Sequence, residues 1–187
     1  LSVHIGSQIL DYRPYKKMVG VINKVVKKSN YKFEFIDLGG GMGIQYEKNS
    51  KKLNYKIYNN LIKKFLKKYD SKIIFEPGRS IIGSVGSLIS KITYIKKTKN
   101  KIFIILDCAM NDFLRPALYG AKHEILPTVK NRKKIKKTTE FVGPICETTD
   151  TFLKLSKFQS IKEGDNIAIL NTGAVSYTHL TLPTSRS

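Results

Sequence analysis

The sequence is short of cysteine, of acidic residues and of long apolar runs, and each shortage excludes something. Two cysteines in 187 residues, Cys108 and Cys146, cannot build a disulfide framework. Such sparing use fits a reducing compartment, so the cytoplasm is the expected location. No Cys-x-x-Cys or His-Glu-x-x-His spacing occurs, and no metal site is expected. No stretch approaches about 18 consecutive apolar residues, so no membrane-spanning helix is expected. The opening residues, LSVHIGSQIL, lack an initiator Met and the basic-then-apolar order of a secretory signal.

Acidic residues number 14 against 34 Lys+Arg, a formal net charge of +20. A nucleic-acid binder would gather Arg and Lys on one surface with aromatics for stacking. Here the excess is nearly all Lys, scattered along the chain among abundant Ile and Asn, as A/T-rich codons would produce. Solvated lysines are the favoured reading and a functional basic surface is the alternative. The hydrophobic fraction of 41% is enough for a real core.

The first 80 residues repeat a short apolar strand, an unusual turn and an amphipathic helix. Leu1–Ile5 reads as a strand ending in Gly6-Ser7-Gln8. A helix is expected from Pro14 to Lys28, with Tyr15, Met18, Val19, Ile22, Val25 and Val26 on one face and lysines on the other. Pro14 suits its first turn. The next strand, Phe33–Asp37, ends in Gly39-Gly40-Gly41, and a helix follows over roughly Tyr55–Tyr69. The third strand, Lys72–Phe75, ends in Glu76-Pro77-Gly78-Arg79. Alternation at this spacing implies βαβ units and a parallel sheet, either doubly wound or a (β/α) barrel. After about Ser80 the pattern turns to strands: Gly86–Lys97, Lys101–Asp107, His123–Leu126, Thr138–Val142 and Asn166–Asn171. This half is expected to be mostly antiparallel, with Lys130–Lys137 as a basic loop.

In a parallel α/β fold, chemistry collects at the C-terminal ends of strands, where all three odd turns lie. The glycine turn at Gly39–Gly43 can turn its amides inward around an anion, most naturally a phosphate. It matches neither the Walker A loop nor the dinucleotide fingerprint, and a plain tight turn is the alternative. Glu76-Pro77-Gly78-Arg79 places a carboxylate beside an anion-binding turn. The Glu can accept a hydrogen bond from a protonated ring nitrogen; a surface salt bridge is the plainer account. His4 and Ser7 end the first strand, and a lone His is more often a satisfied core residue. Cys146, Glu147 and Asp150 follow Gly143-Pro144, and a thiol beside acids suits a proton donor or nucleophile; a small buried hydrophobe is the alternative. Arg115 and Tyr119, four apart in MNDFLRPALYG, suit a carboxylate or a loop anchor.

Taken in order, HIGSQ, DLGGGMGI, EPGRSI, MNDFLRPALYGAKHEI and VGPICETTD resemble the diaminopimelate decarboxylases. These pyridoxal 5'-phosphate enzymes release CO₂ from meso-diaminopimelate to give lysine, the last step of lysine biosynthesis. The resemblance runs from His4 to about Ala174. It implies the alanine-racemase-like architecture: an α/β fold with a partial TIM-type barrel over residues 1–83 and a mostly antiparallel β-domain over 84–174. It also implies that His4 packs on the cofactor ring and that Ser7, Gly39, Gly40 and Gly41 hold its phosphate. Glu76 would meet the pyridine nitrogen, with Pro77, Gly78 and Arg79 near the phosphate. Arg79, Arg115, Tyr119 and Glu147 would bind substrate, and Cys146 would be the proton donor. Cys146 and Glu147 would reach into the partner's site in a homodimer.

The sequence also departs from that pattern. The N-terminal part of the family, with its Schiff-base lysine, has no counterpart here, so the chain is expected to be a C-terminal piece, inactive alone. Where the family continues Gly-Ala-Tyr, Gly173-Ala174 is followed by Val175, and Tyr177 is not equated with the family's Tyr. Residues 175–187 are read as a non-family tail that resembles translated cloning sequence. A related ornithine- or arginine-type decarboxylase, and a non-catalytic pyridoxal-phosphate- or nucleic-acid-binding protein, are the competing readings.

Overall fold

The structure is a computed structural model, and it describes residues 1–47, 50–130 and 133–174. The tail at 175–187, with Tyr177, lies outside the described residues. Two compact units divide the chain, Leu1–Ser84 and a second from Val85 onward.

In the first unit, helix α1 (Arg13–Ser29) is followed by strand β1 (Phe35–Asp37), helix α2 (Tyr55–Leu66), strand β2 (Lys72–Ile74) and the single turn α3 (Arg79–Ile82). Pro14 sits in the first turn of α1, where its missing N–H costs nothing. The helix ends at Asn30 in the left-handed region, with Lys27 and Lys28 in the last turn facing the negative end of the dipole. Tyr15, Met18, Val19 and Ile22 are buried, and they meet Tyr58, Ile62 and Phe65 of α2 and Ile36 and Leu38 of the β1 segment in one cluster. Burying each of the larger side chains contributes roughly 1.5–3 kcal/mol. Strands β1 and β2 pair in parallel, Ile36 opposite Ile73, as a βα crossover requires.

Two expectations need adjustment here. The segment 1–5 is not a regular strand but pairs with β1 through single bridges. Asp37 donates its amide to the Leu1 carbonyl (2.8 Å), and Val3 donates to the Asp37 carbonyl (3.0 Å). Positive φ values at Gly6 and Gln8 interrupt the extended run, and pairing resumes only at Ile9 with Met42. Helix α2 stops at Leu66 rather than Tyr69, because Lys68 and Tyr69 donate to carbonyls three residues back and tighten the last turn.

The second unit is built on a six-stranded mixed sheet. Its strands are β3 (Ser87–Lys97), β4 (Lys101–Leu106), β5 (Ile125–Pro127), β7 (Thr138–Val142), β8 (Thr151–Leu155) and β10 (Asn166–Leu170), in the order β5-β10-β3-β4-β7-β8. One pair, β4 with β7, is parallel and the other four are antiparallel. The apolar run of β4 buries alternate residues fully, with Ile102, Ile104 and Leu106 in a core that also holds Phe141, Ile167 and Ile169. A short helix α4 (Arg115–Tyr119) lies between β4 and β5. The basic segment 130–137 is not wholly a loop: β6 (Lys134–Ile135) pairs with β9 (Phe158–Gln159), with Ile135 opposite Phe158. Among the described residues, no helix is long and apolar enough to cross a membrane.

Candidate functional site

In the first unit the turns after the strands are joined through main chain. The Glu76 amide donates to the Gly39 carbonyl (2.9 Å), and the Leu38 amide donates to the Ile74 carbonyl (3.0 Å). A Cβ on Gly40 would collide with the Glu76 carbonyl oxygen. One on Gly39 would meet the Val3 carbonyl and, at 3.0 Å, the His4 ring nitrogen Nδ1. Gly39 and Gly41 also take φ of 63° and 90°, a region that L side chains rarely occupy. His4 Nδ1 accepts a long bond from the Gly40 amide (3.5 Å). The structure thus brings His4, Gly39, Gly40 and Glu76 together. His4, Ser7 and Glu76 are all exposed, so His4 is not a core histidine.

Arg79 is only 8% exposed. Its Nη1 donates to the Tyr46 hydroxyl (2.6 Å), and its guanidinium lies 5.9 Å from that ring. Nε is buried without a hydrogen-bond partner among the described residues. No ion pair joins Arg79 to Glu76 among those residues, so the surface-salt-bridge account does not describe this turn. A buried cation with no acidic partner among the described residues is unfavourable alone and is suited to receive an anion.

In the second unit, Arg115 opens α4, buried, with its guanidinium 5.5 Å from the ring of exposed Tyr119. Gly120 ends the turn in the left-handed region and donates to the Pro116 carbonyl (3.0 Å). Cys146 and Glu147 are exposed on the turn between β7 and β8, which excludes the buried-hydrophobe reading of Cys146. Cys108 is the buried thiol. The Thr148 hydroxyl (3.0 Å) and then the Thr149 amide (3.3 Å) hold the Glu147 carboxyl below its usual range, so it is an anion at neutral pH. Among the described residues, no group of three His, Cys, Asp or Glu is placed to hold a metal.

Sequence reasoning missed the residues that shape these turns. Asp37 Oδ1 accepts from the Gly39 amide (2.8 Å) while Oδ2 accepts from Ser2 (3.0 Å). The Asp-x-Gly spacing was the available signal. Gln8 brackets Ile44 with both ends of its amide, Nε2 to the carbonyl at 2.6 Å and Oε1 from the amide at 3.3 Å. Tyr15 donates its hydroxyl to the Gly40 carbonyl (3.3 Å) from within the helical stripe, where it read as plain core. Tyr46 carried no signal at all.

Comparison with known proteins extends these observations. The family described as pyridoxal-dependent decarboxylase, C-terminal sheet domain, matches residues 12–173. The diaminopimelate decarboxylase of Aquifex aeolicus is 41% identical over 183 residues, covering 95% of this chain and 43% of that protein. That of Zymomonas mobilis is 37% identical over 190 residues, 100% of this chain and 45% of the relative. Among solved structures, a mutant diaminopimelate decarboxylase from Helicobacter pylori complexed with L-lysine superposes with a TM-score of 0.85 at 39% identity, covering 99% of this chain and 46% of that one. The chain spans less than half the length of these relatives.

Proposed function

Because this chain belongs to the pyridoxal-dependent decarboxylase family, we propose that it carries part of the machinery that decarboxylates meso-diaminopimelate to lysine. The observation that carries the reading is the union of two turns. Gly40 and the Glu76 carbonyl touch so closely that no side chain fits, and the Glu76 amide is bound to Gly39, so glycine cradle and carboxylate form one structure. A glycine turn too tight to admit a side chain and a buried Arg whose Nε has no hydrogen-bond partner among the described residues fit a phosphate, and Glu76 beside them fits a ring nitrogen. These residues therefore suit pyridoxal 5'-phosphate. Ser7, Gly39, Gly40, Gly41, Gly78 and Arg79 would hold its phosphate, His4 its ring face, and Pro77 shapes the turn between Glu76 and Gly78.

When bound, the cofactor supplies an electron sink for the pair left behind as CO₂ departs. Glu76 would accept the hydrogen bond of the pyridine N–H and hold that proton in place, which would keep the sink strong. Arg79, Arg115 and Tyr119 bind substrate carboxylate, and the Glu147 anion binds the ammonium at the far end. The Cys146 thiol delivers a proton to the carbon that has lost CO₂; its exposure on a turn leaves the sulfur accessible. A homodimer in which Cys146 and Glu147 serve the partner's site is part of the same reading.

For the first unit we propose a partial TIM-type barrel at residues 1–83, followed by a β-domain at 84–174. The parallel β1–β2 pair and its crossover helix support it. So does the apolar groove of about 710 Å³ beside β2, lined by Tyr55, Leu66, Phe75 and Pro77 among others, where a further strand and helix would pack.

The test is CO₂ release by the full-length gene product that carries this chain, offered meso-diaminopimelate, ornithine and arginine in parallel. Preference for meso-diaminopimelate, with a loss of about 10²–10⁴-fold in kcat on Cys146→Ala and unchanged folding, is the expected result. Preference for ornithine or arginine, or a Cys146→Ala variant at full rate, overturns the assignment.

A further inference from the structure

The turn from Gly143 to Asp150 presents an oddity. Its residues 144–149 are all exposed, including Cys146 and Glu147, and exposed turns of this length are ordinarily loose. Its ends are nonetheless clamped. Gly143 donates its amide to the Asp150 carbonyl (3.0 Å), and Asp150 donates its own to the Glu147 carbonyl (3.1 Å). The Asp150 side chain is only 2% exposed. Its Oδ2 accepts from the Ile145 amide (2.9 Å), and its Oδ1 accepts from the Met110 amide (2.7 Å). Hydrogen bonds to an ionised carboxylate are roughly twice as strong as neutral ones.

The two amides belong to different segments. Ile145 immediately precedes Cys146. Met110 opens the stretch that leads to Arg115 and Tyr119. One carboxylate therefore spans the chain carrying the candidate proton donor and the chain carrying the candidate carboxylate grip. Thr149 adds a second link, its hydroxyl 3.7 Å from the Met110 sulfur. Gly143 lies directly against the carboxylate: a Cβ there would collide with both of its oxygens. Glu140, on β7 itself, is held instead by Lys101 and Lys154.

From this geometry we propose that Asp150 is a positioning residue: it sets the orientation of the Cys146 turn and of the segment leading to Arg115 as one unit. The proposal rests on the decarboxylase reading above. Main-chain amides cannot swivel as side chains do, so fixing Ile145 N and Met110 N fixes where the Cys146 sulfur and the α4 helix emerge. Misplacing a reacting group by about 1 Å costs on the order of 10²-fold in rate.

The experiment compares Asp150→Asn, Gly143→Ala and the control Glu140→Gln in the full-length gene product. Asp150→Asn places an NH₂ or a neutral oxygen against two donors; Gly143→Ala leaves the carboxylate intact and pushes it aside. Three quantities are read: exchange of the Met110 and Ile145 amides, steady-state kinetics on meso-diaminopimelate, and the solvent deuterium isotope effect on kcat. Expected for both variants is exchange at Met110 and Ile145 faster by about tenfold or more than in the parent. A fall in kcat of roughly 10²-fold, with a larger isotope effect because proton delivery from Cys146 has become limiting, accompanies it. Glu140→Gln changes stability but none of the three. Parent-like kcat and isotope effect in a variant whose two amides exchange rapidly overturn the proposal, as do amides that stay protected in both variants. Gly143→Ala decides the matter if Asp150→Asn does not fold. A parent protein that releases no CO₂ from meso-diaminopimelate overturns the decarboxylase reading and the kinetic claim together, whereas an active parent with unaffected variants overturns this proposal alone.

Discussion

Gly40 in the first unit and Gly143 in the second both occupy places where no Cβ fits, and the obstacle differs. At Gly40 it is the main-chain oxygen of Glu76; at Gly143 it is the carboxylate of Asp150. The first unit makes its candidate site out of backbone, with glycines pressed against neighbouring carbonyls and the Gly39 amide tied to Asp37. The second makes its site out of side chains on a turn and a short helix, held by one buried acid. A backbone site is intolerant of added atoms because it cannot yield without parting strands. A side-chain site tolerates them better, since a carboxylate can rotate, but it loses its aim when its anchor changes.

The sharpest way to break that contrast is to add the same methyl group to both glycines. Gly40→Ala is expected to destabilise by about 3 kcal/mol or more, at the upper end of overpacking effects, and to abolish cofactor retention. Gly143→Ala is expected to cost nearer 1 kcal/mol in stability while lowering kcat as described above. Urea unfolding midpoints with cofactor absorbance measure both, and equal costs would erase the distinction.

Alkaline titration separates the two cores by a smaller margin. Burial pushes the Cys108 thiol of the second unit up to about 11, against an opposing bond from the Ser90 hydroxyl. Burial pushes the Tyr58 hydroxyl of the first up to about 12. Both groups are neutral when protonated, so the fold favours the protonated form. The unfolded chain gives up its protons first, and stability falls as pH rises through each window. The loss from Cys108 runs between pH about 9 and 11 and amounts to roughly 1–2 kcal/mol. Amide exchange followed against pH should show β4 loosening before α2, and Cys108→Ala should abolish the lead. Loosening of α2 first would contradict the assignment.

The smallest expected effect tests local against long-range stabilisation. Asn54 caps α2, its Oδ1 accepting from the Lys56 (3.1 Å) and Ile57 (3.2 Å) amides. Asn54→Ala should cost about 1 kcal/mol by thermal unfolding and leave the second unit's amide exchange unchanged. A loss of protection in β3 or β10 would show that the two units unfold as one.

The first unit was the more legible of the two. Its helices announce themselves in stripes such as Tyr15, Met18, Val19 and Ile22, and its turns in runs of glycine that few other structures require. What stayed hidden there were contacts across the chain, such as Tyr46 with Arg79, which no local spacing encodes. In the second unit β4 was evident from its apolar run, and β3, β7 and β10 were also read as strands, but β8 follows a polar turn directly, and β6 and β9 are two residues each. α4 is a single turn, too short for a periodicity to form. The parallel partnership of β4 and β7 had no signature, since it depends on which strand arrives beside which. Asp150 read as one more acid on a turn; only its burial and two amide partners set it apart from Glu147.

The position of β10 bears on how this protein is made. It lies between β5 and β3, and its Asn166 pairs with Lys91, about 75 residues earlier. A ribosome adding roughly 5–20 residues per second needs several seconds to span that interval. Throughout it, the flank of β3 that β10 will cover stands open and β5 has no neighbour to join. Nascent chains at this stage should be the species that molecular chaperones engage most, and a stall placed before residue 170 should prolong that engagement more than a stall placed after it.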